Sequence, residues 1–350
     1  MKRLWVLALV AALAAACGGG NGDDTATTPP NRDENVTIEL VTHDSFAASE
    51  SVLDAFTADT GITIEIVPQG DAGAALNASI LNKGNPLGDV FFGVDNTFLT
   101  RALDEDLFIP YTSPALEQVD PRYILDAEHR VTPVDHGEVC VNYDREAFAD
   151  APPPASFEEL TAHADQLVVE NPATSSPGLA FLIATVVHFG EGKWQEWWRD
   201  MADGGVTVAA GWEEAYYTEF SGGAAEGTHP LVVSYASSPP AEVYFADPQP
   251  AEAPTGVLEG TCFEQIEMAG ILRGTEHEGA AQRVIDFLLS EEFQADMPLN
   301  MFVFPVVDGV ELPDVFVHAP PIPNPLRLTP EEIAADRERW IDEWTDIVLG

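Results

Sequence analysis

Val36-Thr-Ile-Glu-Leu-Val-Thr42 alternates apolar and polar residues and is rich in β-branched side chains, so it reads as a strand. His43-Asp-Ser-Phe46 is the turn after it. Ser49 to Thr60 carries Val52, Leu53 and Phe56 at helical spacing and stops at Gly61. Ile62 to Val67 is a second strand. Gly70-Asp-Ala-Gly73 begins a helix that carries Leu76, Ile80 and Leu81. Asp89 to Val94 is a third strand, followed by a helix through Leu99 and Leu103. This alternation predicts an α/β domain with a largely parallel sheet. Ligands of such sheets sit outside the carboxyl ends of the strands. His43, Asp44, Asp71, Asp95 and Asn96 fall at those ends.

Further along, Asn171-Pro-Ala-Thr-Ser-Ser-Pro-Gly-Leu-Ala-Phe181 is a loop that becomes a helix. Ser175 or Ser176 can cap it, and Pro177 suits its first turn. Such a start leaves backbone N–H groups that can hold an anion or a polar ligand group. An ordinary capped helix is the plainer reading. Ser156 and Glu159 form a capping box for a helix running through Leu167. Trp194, Trp197 and Trp198 have the spacing of a packed helix face. Gly211 to Tyr216 starts another helix, Leu231 to Tyr235 is a strand, and Ala246 to Gly256 is a Pro-rich loop. Cys262 to Met268 returns as a strand, Glu278 to Leu289 is an amphipathic helix, and Met301 to Pro305 is extended. The last helix, Glu331 to Val348, carries Trp340 and Trp344 as an anchor on the body.

This order describes one α/β half with a second inserted in it. Residues 36–138 plus 262–350 form lobe 1, and residues 139–261 form lobe 2. The crossings run near Glu138–Val141 and Gly256–Glu264. Cys140 and Cys262 lie at them, and an even pair in an exported chain invites a disulfide. Two separate buried thiols are the alternative.

The chain has 350 residues, a 45% hydrophobic fraction and a formal net charge of −44, from 59 acidic against 15 basic residues. That hydrophobic fraction supplies proper cores, and that charge repels nucleic acid and anionic membranes. Adaptation to salt accounts for most of the charge, and a cationic ligand is compatible with the rest. Lys2 and Arg3 precede a short apolar run, Leu4 to Leu13, too short to span a bilayer. Residues 1–16 therefore read as an export signal. Ala14-Ala-Ala-Cys17 resembles a bacterial lipobox, which implies cleavage before Cys17 and lipid on its thiol. Residues 17–35 then make a Gly/Asp/Thr/Pro-rich tether. No phosphate loop, dinucleotide fingerprint, nucleophile elbow or HExxH is present, and no paired CxxC or HxxxH marks a metal. No catalytic residue, metal ligand or cofactor is assigned.

Several segments occur in the order of a known family: Val41-Thr-His-Asp-Ser-Phe-Ala47, Gly93-Val-Asp-Asn96, Thr174-Ser-Ser-Pro-Gly-Leu179, Gly211-Trp-Glu-Glu-Ala-Tyr216, Ser234-Tyr235 with Ser238-Pro239, and Phe304-Pro-Val306. Together they resemble the thiamine-binding proteins of bacterial ABC importers, across roughly Val36 to Val348. The resemblance implies a two-lobed, type II periplasmic-binding fold that closes at a hinge. It also implies delivery of thiamine or a thiamine phosphate to a permease driven by a separate ATPase, by a monomer attached to the membrane only through its lipid. Carried over, Asp71 faces the cationic ligand. Trp212, Tyr235 and Phe302 supply aromatic wall, and Ser175 with Ser176 meets the hydroxyethyl or phosphate end. Tyr216, His43, Asp44, Ser45 and Asp95 complete the candidate site. The chain departs from the family pattern at His43, where a Tyr is usual. It departs again at Pro240-Ala241, where a Tyr follows the Ser-Pro, and at Phe302, where a Trp is expected. The alternatives are a ferric-iron or other small-cation binder of the same fold, given Tyr216-Tyr217, and an extracytoplasmic enzyme.

Overall fold

The computed structural model describes residues 36–224 and 227–350. The expected export signal, Cys17 and the tether lie outside the described residues. Among the described residues no helix is long and apolar enough to cross a membrane.

The first elements follow the predicted alternation: β1 (Val36–Thr42), α1 (Glu50–Thr60), β2 (Ile62–Pro68), α2 (Ala72–Leu81), β3 (Val90–Asp95) and α3 (Leu99–Asp104). β1 lies between β2 and β3, parallel to both. Its alternation sets its faces: Ile38 and Leu40 are buried while Thr37 and Glu39 are exposed. After β4 (Phe108–Ile109) the chain enters β5 (Thr132–Asp144), α4 (Phe157–Leu160), β6 (Leu167–Glu170), α5 (Ser176–Phe189), α6 (Lys193–Gly204), β7 (Thr207–Ala209), β8 (Leu231–Tyr235) and α7 (Ser238–Tyr244). It returns through β9 (Thr255–Leu272), α8 (Glu278–Leu288), α9 (Glu291–Asn300), β10 (Phe304–Pro305) and α10 (Pro330–Val348).

The strands share one mixed sheet in the order β2-β1-β3-β9-β5-β8-β6-β7, with β10 on β5 and β4 on β9. The largely parallel expectation holds only at the two ends, where β1 pairs with β2 and β3, and β6 with β7 and β8. The middle is antiparallel, because β5 and β9 are long return strands and not βαβ crossovers. Their ladder jumps from Val139↔Phe263 to Val141↔Leu258. The Cys140–Cys262 disulfide sits at this irregularity, with its Cα atoms 4.2 Å apart.

Three local expectations change. The helix begun by Ser156 ends at Leu160, and a 3-10 stretch kinked at His163 leads to β6. Leu167-Val-Val-Glu170 is buried on both faces between β7 and β8, and such a short apolar run does not declare its period. The Gly211 segment winds as a π-helical turn, Glu214–Glu219, closed by Phe220 N–H donating to the Ala215 carbonyl. Two helices went unread, α7 behind Pro239-Pro240 and α9 behind its cap Ser290.

The tryptophans pack as their spacing predicts. Trp194, Trp197 and Trp198 of α6 are buried, and Trp344 of α10 meets Trp198 edge-on at 5.5 Å. Two of the indole N–H groups are paired, Trp197 to the Phe157 carbonyl and Trp198 to Thr185 Oγ1, while those of Trp194 and Trp344 are buried without a partner. A second close approach matters more for function. A Cβ on Gly73 would lie 2.7 Å from the Thr174 backbone. Only glycine lets the first turn of α2 meet the 171–175 loop, where Ala74 N–H donates to the Thr174 carbonyl at 2.9 Å.

Candidate ligand-binding site

The end of β1 delivers His43 to the inner side of the sheet. Its Nδ1 lies 3.0 Å from Ser45 Oγ, and its Nε2 lies 3.4 Å from Glu267 Oε1. The ring rests over Gly93, which has φ +113° and whose hypothetical Cβ would stand 2.8 Å from the imidazole. Burial alone would lower the His43 pKa, but Glu267, Asp71 and Asp44 outweigh it and hold it above the usual value.

Asp71 caps α2 and also reaches across the chain. Oδ1 accepts from Ala72 N–H at 2.6 Å and from Ser176 N–H at 3.2 Å, and Oδ2 accepts from Trp212 N–H at 2.8 Å. Burial raises its pKa, and the bonds from Trp212 and Ser176 oppose that rise. Asp95, at the end of β3, is fully buried. Its Oδ1 accepts from Thr97 and from Phe98 N–H, while its Oδ2 meets Ser176 Oγ and accepts from Gln265 Nε2. Burial raises Asp95 as well. Ser175 caps α5 by accepting from Gly178 N–H at 3.3 Å.

The aromatic wall comes from the π-helical turn and β8. Trp212 stacks on Tyr216 with centroids 5.1 Å apart and stands at 62° to Tyr235. Trp212 Nε1 donates to Ser234 Oγ, and the Tyr216 hydroxyl donates to Glu242 Oε1 at 2.8 Å. Opposite them is Phe302, a non-glycine residue in the left-handed region at φ +54°, packed on Phe245 at 5.6 Å. Residues held in such a conformation cluster at ligand sites.

These groups enclose a cavity of about 370 Å³. His43, Asp44, Ser45, Asp71, Ser176, Trp212, Tyr216, Tyr235 and Phe302 line it, nine of the eleven expected residues. Asp95 and Ser175 do not. Both are buried behind the wall: backbone amides and the Ser176 hydroxyl use the oxygens of Asp95, and the Gly178 amide uses Ser175 Oγ. Sequence reasoning missed Glu213, Glu242, Phe245, Gln265, Glu267 and Asn300, which also line the cavity, as does Tyr217, read from the sequence only for the iron alternative. Glu242 and Asn300 come from the two unread helices. Glu267 arrives by sheet register, opposite both Asp95 and Asp135. Its sequence signal was the alternation Gln265-Ile-Glu267 along β9.

Charge is the cavity's main chemical character. Asp44, Asp71, Glu213, Glu242 and Glu267 face it, and no Lys or Arg does among the described residues. Around them, burial and then Glu267 push Asp135 well above the carboxylate range. Burial and then Asp71 do the same to Glu170, both of whose oxygens are buried without a hydrogen-bond partner. Burial, then Glu267, Asp71, Asp95 and Asp135, push the Tyr235 phenol well up. Each of these shifts disfavours the charged form of its group, so the buried carboxyls and the phenol hold their protons more tightly than they would in water.

Residues 85–330 match the family of bacterial extracellular solute-binding proteins. The chain is 31% identical over 314 residues to the thiamine-binding periplasmic protein of Escherichia coli, covering 88% of this chain and 92% of that one. It superposes on a solved periplasmic thiamin binding protein with a TM-score of 0.78 at 28% identity, covering 89% of this chain and 96% of the other. Iron-bound HitA from Pseudomonas aeruginosa shares the fold, with a TM-score of 0.69 at 17% identity over 89% of this chain and 99% of that one. The mixed sheet is thus that of the type II periplasmic binding proteins.

Proposed function

The chain belongs to the bacterial extracellular solute-binding protein family, and on that premise we propose that it captures thiamine or a thiamine phosphate outside the cytoplasm. The observation that carries this is the cavity itself, five carboxylates around a stacked aromatic wall with no Lys or Arg. A fixed positive charge such as a thiazolium suits carboxylates and aromatic faces. A flat aminopyrimidine suits stacking on Trp212 and Tyr216. The named function of its relatives points the same way.

Residues 36–138 plus 262–350 and residues 139–261 then act as two lobes hinged at the irregular β5–β9 ladder. In this reading the bonds from Asp71 to Ser176 and Trp212, and from Asp95 to Ser176, are made on closure. Cys17 carries the lipid that holds the monomer to the membrane, and the closed form hands its cargo to an ABC permease with its own ATPase. The protein performs no catalysis, so turnover of a substrate with no transporter present contradicts the reading.

Thiamine is expected to raise the melting temperature of the soluble domain and to quench tryptophan fluorescence. No response at high micromolar thiamine or its phosphates refutes the assignment. Ferric iron is the second reading, on the adjacent Tyr216 and Tyr217. Tyr216 already donates to Glu242, burial pushes both phenols up, and no group of three or more His, Cys, Asp or Glu among the described residues is placed for a metal. A purple tyrosinate–iron band on adding iron would reverse that preference.

A further inference from the structure

Resting on the thiamine reading, we infer that the cavity exchanges a proton for its cation: Asp135, behind Glu267, holds a proton in the unliganded protein and releases it to solvent when the ligand's positive charge reaches Glu267. The argument begins with sheet register. Asp95 of β3, Glu267 of β9 and Asp135 of β5 stand directly opposite one another on three adjacent strands. Directly opposed residues share a face of the sheet, so these carboxyls form one row. Asp95 and Asp135 are buried, and Glu267 lines the cavity. Like charges in such a row, away from water, disfavour ionisation of all three. The donors decide which one keeps a proton. Asp95 accepts from the Thr97 amide and hydroxyl, from Phe98 N–H and from Gln265 Nε2, the surroundings of a carboxylate. Glu267 has the His43 imidazole at 3.4 Å. Asp135 Oδ2 is buried with no donor, and the side chain beside it is Glu267. A protonated Asp135 donates its O–H to Glu267 and satisfies both groups, whereas an ionised one has nothing to accept.

The other groups facing the row add no fixed positive charge. They are His43 after β1 and Tyr235 of β8, with Asp71, Asp44 and Glu213 acting in turn on His43. No Lys or Arg lines the cavity among the described residues. The imidazolium of His43 is therefore the only cation that the protein itself brings to Glu267 there, and it can lose its charge. A thiazolium cannot. Set against Glu267, it favours a second negative charge in the row. The O–H bond of Asp135 then breaks, its electron pair stays on the carboxylate, and the proton passes to water. One cation enters and one proton leaves, so the charge of the complex matches that of the unliganded protein. The sign follows: at a pH below the native pKa of the row, binding must first remove a proton, so affinity rises with pH.

The test is calorimetry of the unliganded protein with thiamine between pH 6.5 and pH 8, where the ligand's aminopyrimidine stays unprotonated, in buffers of different ionisation enthalpy. Release of about one third to one proton per thiamine is expected, which corresponds to affinity rising roughly 3- to 30-fold across that range. Binding without proton release overturns the inference and leaves the thiamine reading intact, whereas no binding overturns both. Asp135→Asn keeps an N–H donor toward Glu267 and holds the row in its proton-bearing form. It should bind thiamine with no proton release, and unchanged release removes Asp135 as the source. His43→Gln leaves the row in place and should still release the proton; loss of release there assigns the proton to the imidazolium and overturns the inference. Should Asp135→Asn not fold, the infrared difference spectrum of the parent gives the same answer. Thiamine should remove a buried carboxylic-acid carbonyl band and add carboxylate bands, and a spectrum without that exchange overturns the inference.

Discussion

Asp71→Asn separates the two jobs of one side chain. As an N-cap, Asn serves about as well as Asp, so α2 keeps its start. The reach across the chain is different. Asp71 accepts Ser176 N–H on one oxygen and Trp212 N–H on the other. Asn has a single carbonyl oxygen, and its amide nitrogen would face a donor. Hydrogen bonds to a charged acceptor contribute about 1.5–3 kcal/mol and neutral ones about 0.5–1.5. Losing one bond and neutralising the other removes roughly 3 kcal/mol, and the partly solvent-accessible position of Asp71 brings the figure toward the lower part of that range. A loss of about 2–3 kcal/mol weakens thiamine roughly 30- to 150-fold. The unliganded protein should hardly change, because burial disfavours the Asp71 charge and Asn relieves that cost. Calorimetry with thiamine gives the first quantity and a melting curve without ligand gives the second. Binding within threefold of the parent, at an unchanged melting temperature, would refute the clasp.

Trp198→Ala should cost about 3–5 kcal/mol of stability, because the ring is fully buried between Phe181 and Trp344. Its folded fraction should bind thiamine like the parent, and a selective loss of affinity would place this cluster in the site. Replacing both Cys140 and Cys262 by Ser should lower urea stability by about 2–5 kcal/mol, since the bridge closes 122 residues of chain. Ready alkylation of either thiol in the native, unreduced protein would deny the bridge. Acidification should stabilise the unliganded protein. Burial pushes Asp135 and Glu170 well up, raises Asp71 and Asp95 and takes Glu138 to about 7, and against its own burial the carboxylates around His43 raise it, whereas burial lowers His136 to about 4 and opposes this set. The native state then binds more protons than the unfolded chain, so this stability is complete below the unfolded pKa values and is lost as pH rises through the native ones. The melting temperature at pH 5.5 should exceed that at pH 7.5, Glu138→Gln should flatten the difference, and a fall on acidification contradicts the scheme. By the same linkage thiamine should bind more weakly at pH 5.5 and release protons, which calorimetry in two buffers of different ionisation enthalpy would detect.

What the sequence made legible were the features with a local cause. β1, α1, β2 and α2 declare themselves by period and by Gly61, and the α5 cap falls on Ser175, one of the two hydroxyls that could supply it. The turn after β1, Asp71 and Trp212 could be placed at a site because strand ends and family segments mark them. Features set by distant register were hidden. Glu267 becomes a site residue only when β9 pairs antiparallel with β3 and β5, and no property of Gln265-Ile-Glu267 announces that pairing. α9 was obscured by Pro298 inside it, which argues against a helix until the neighbours that tolerate it are known. The helix expected through Leu167 overruns the start of β6, Leu167–Glu170, because four apolar or acidic residues fit either period.

The net charge of −44 and the charge of the cavity are different facts, although composition merges them. Most acidic residues lie on solvated surface, where a Debye length of about 8 Å at physiological salt screens them. They raise the local concentration of any cation and speed its arrival, without regard to which cation it is. The cavity carboxylates are few, and several are fixed by named partners: Asp71 by three amides, Glu242 by Tyr216 and Ala224, Glu267 beside His43. Fixed charge beside a stacked aromatic face discriminates by shape, which diffuse charge cannot do. Selectivity therefore rests on the second set, while the first affects how quickly a cation arrives.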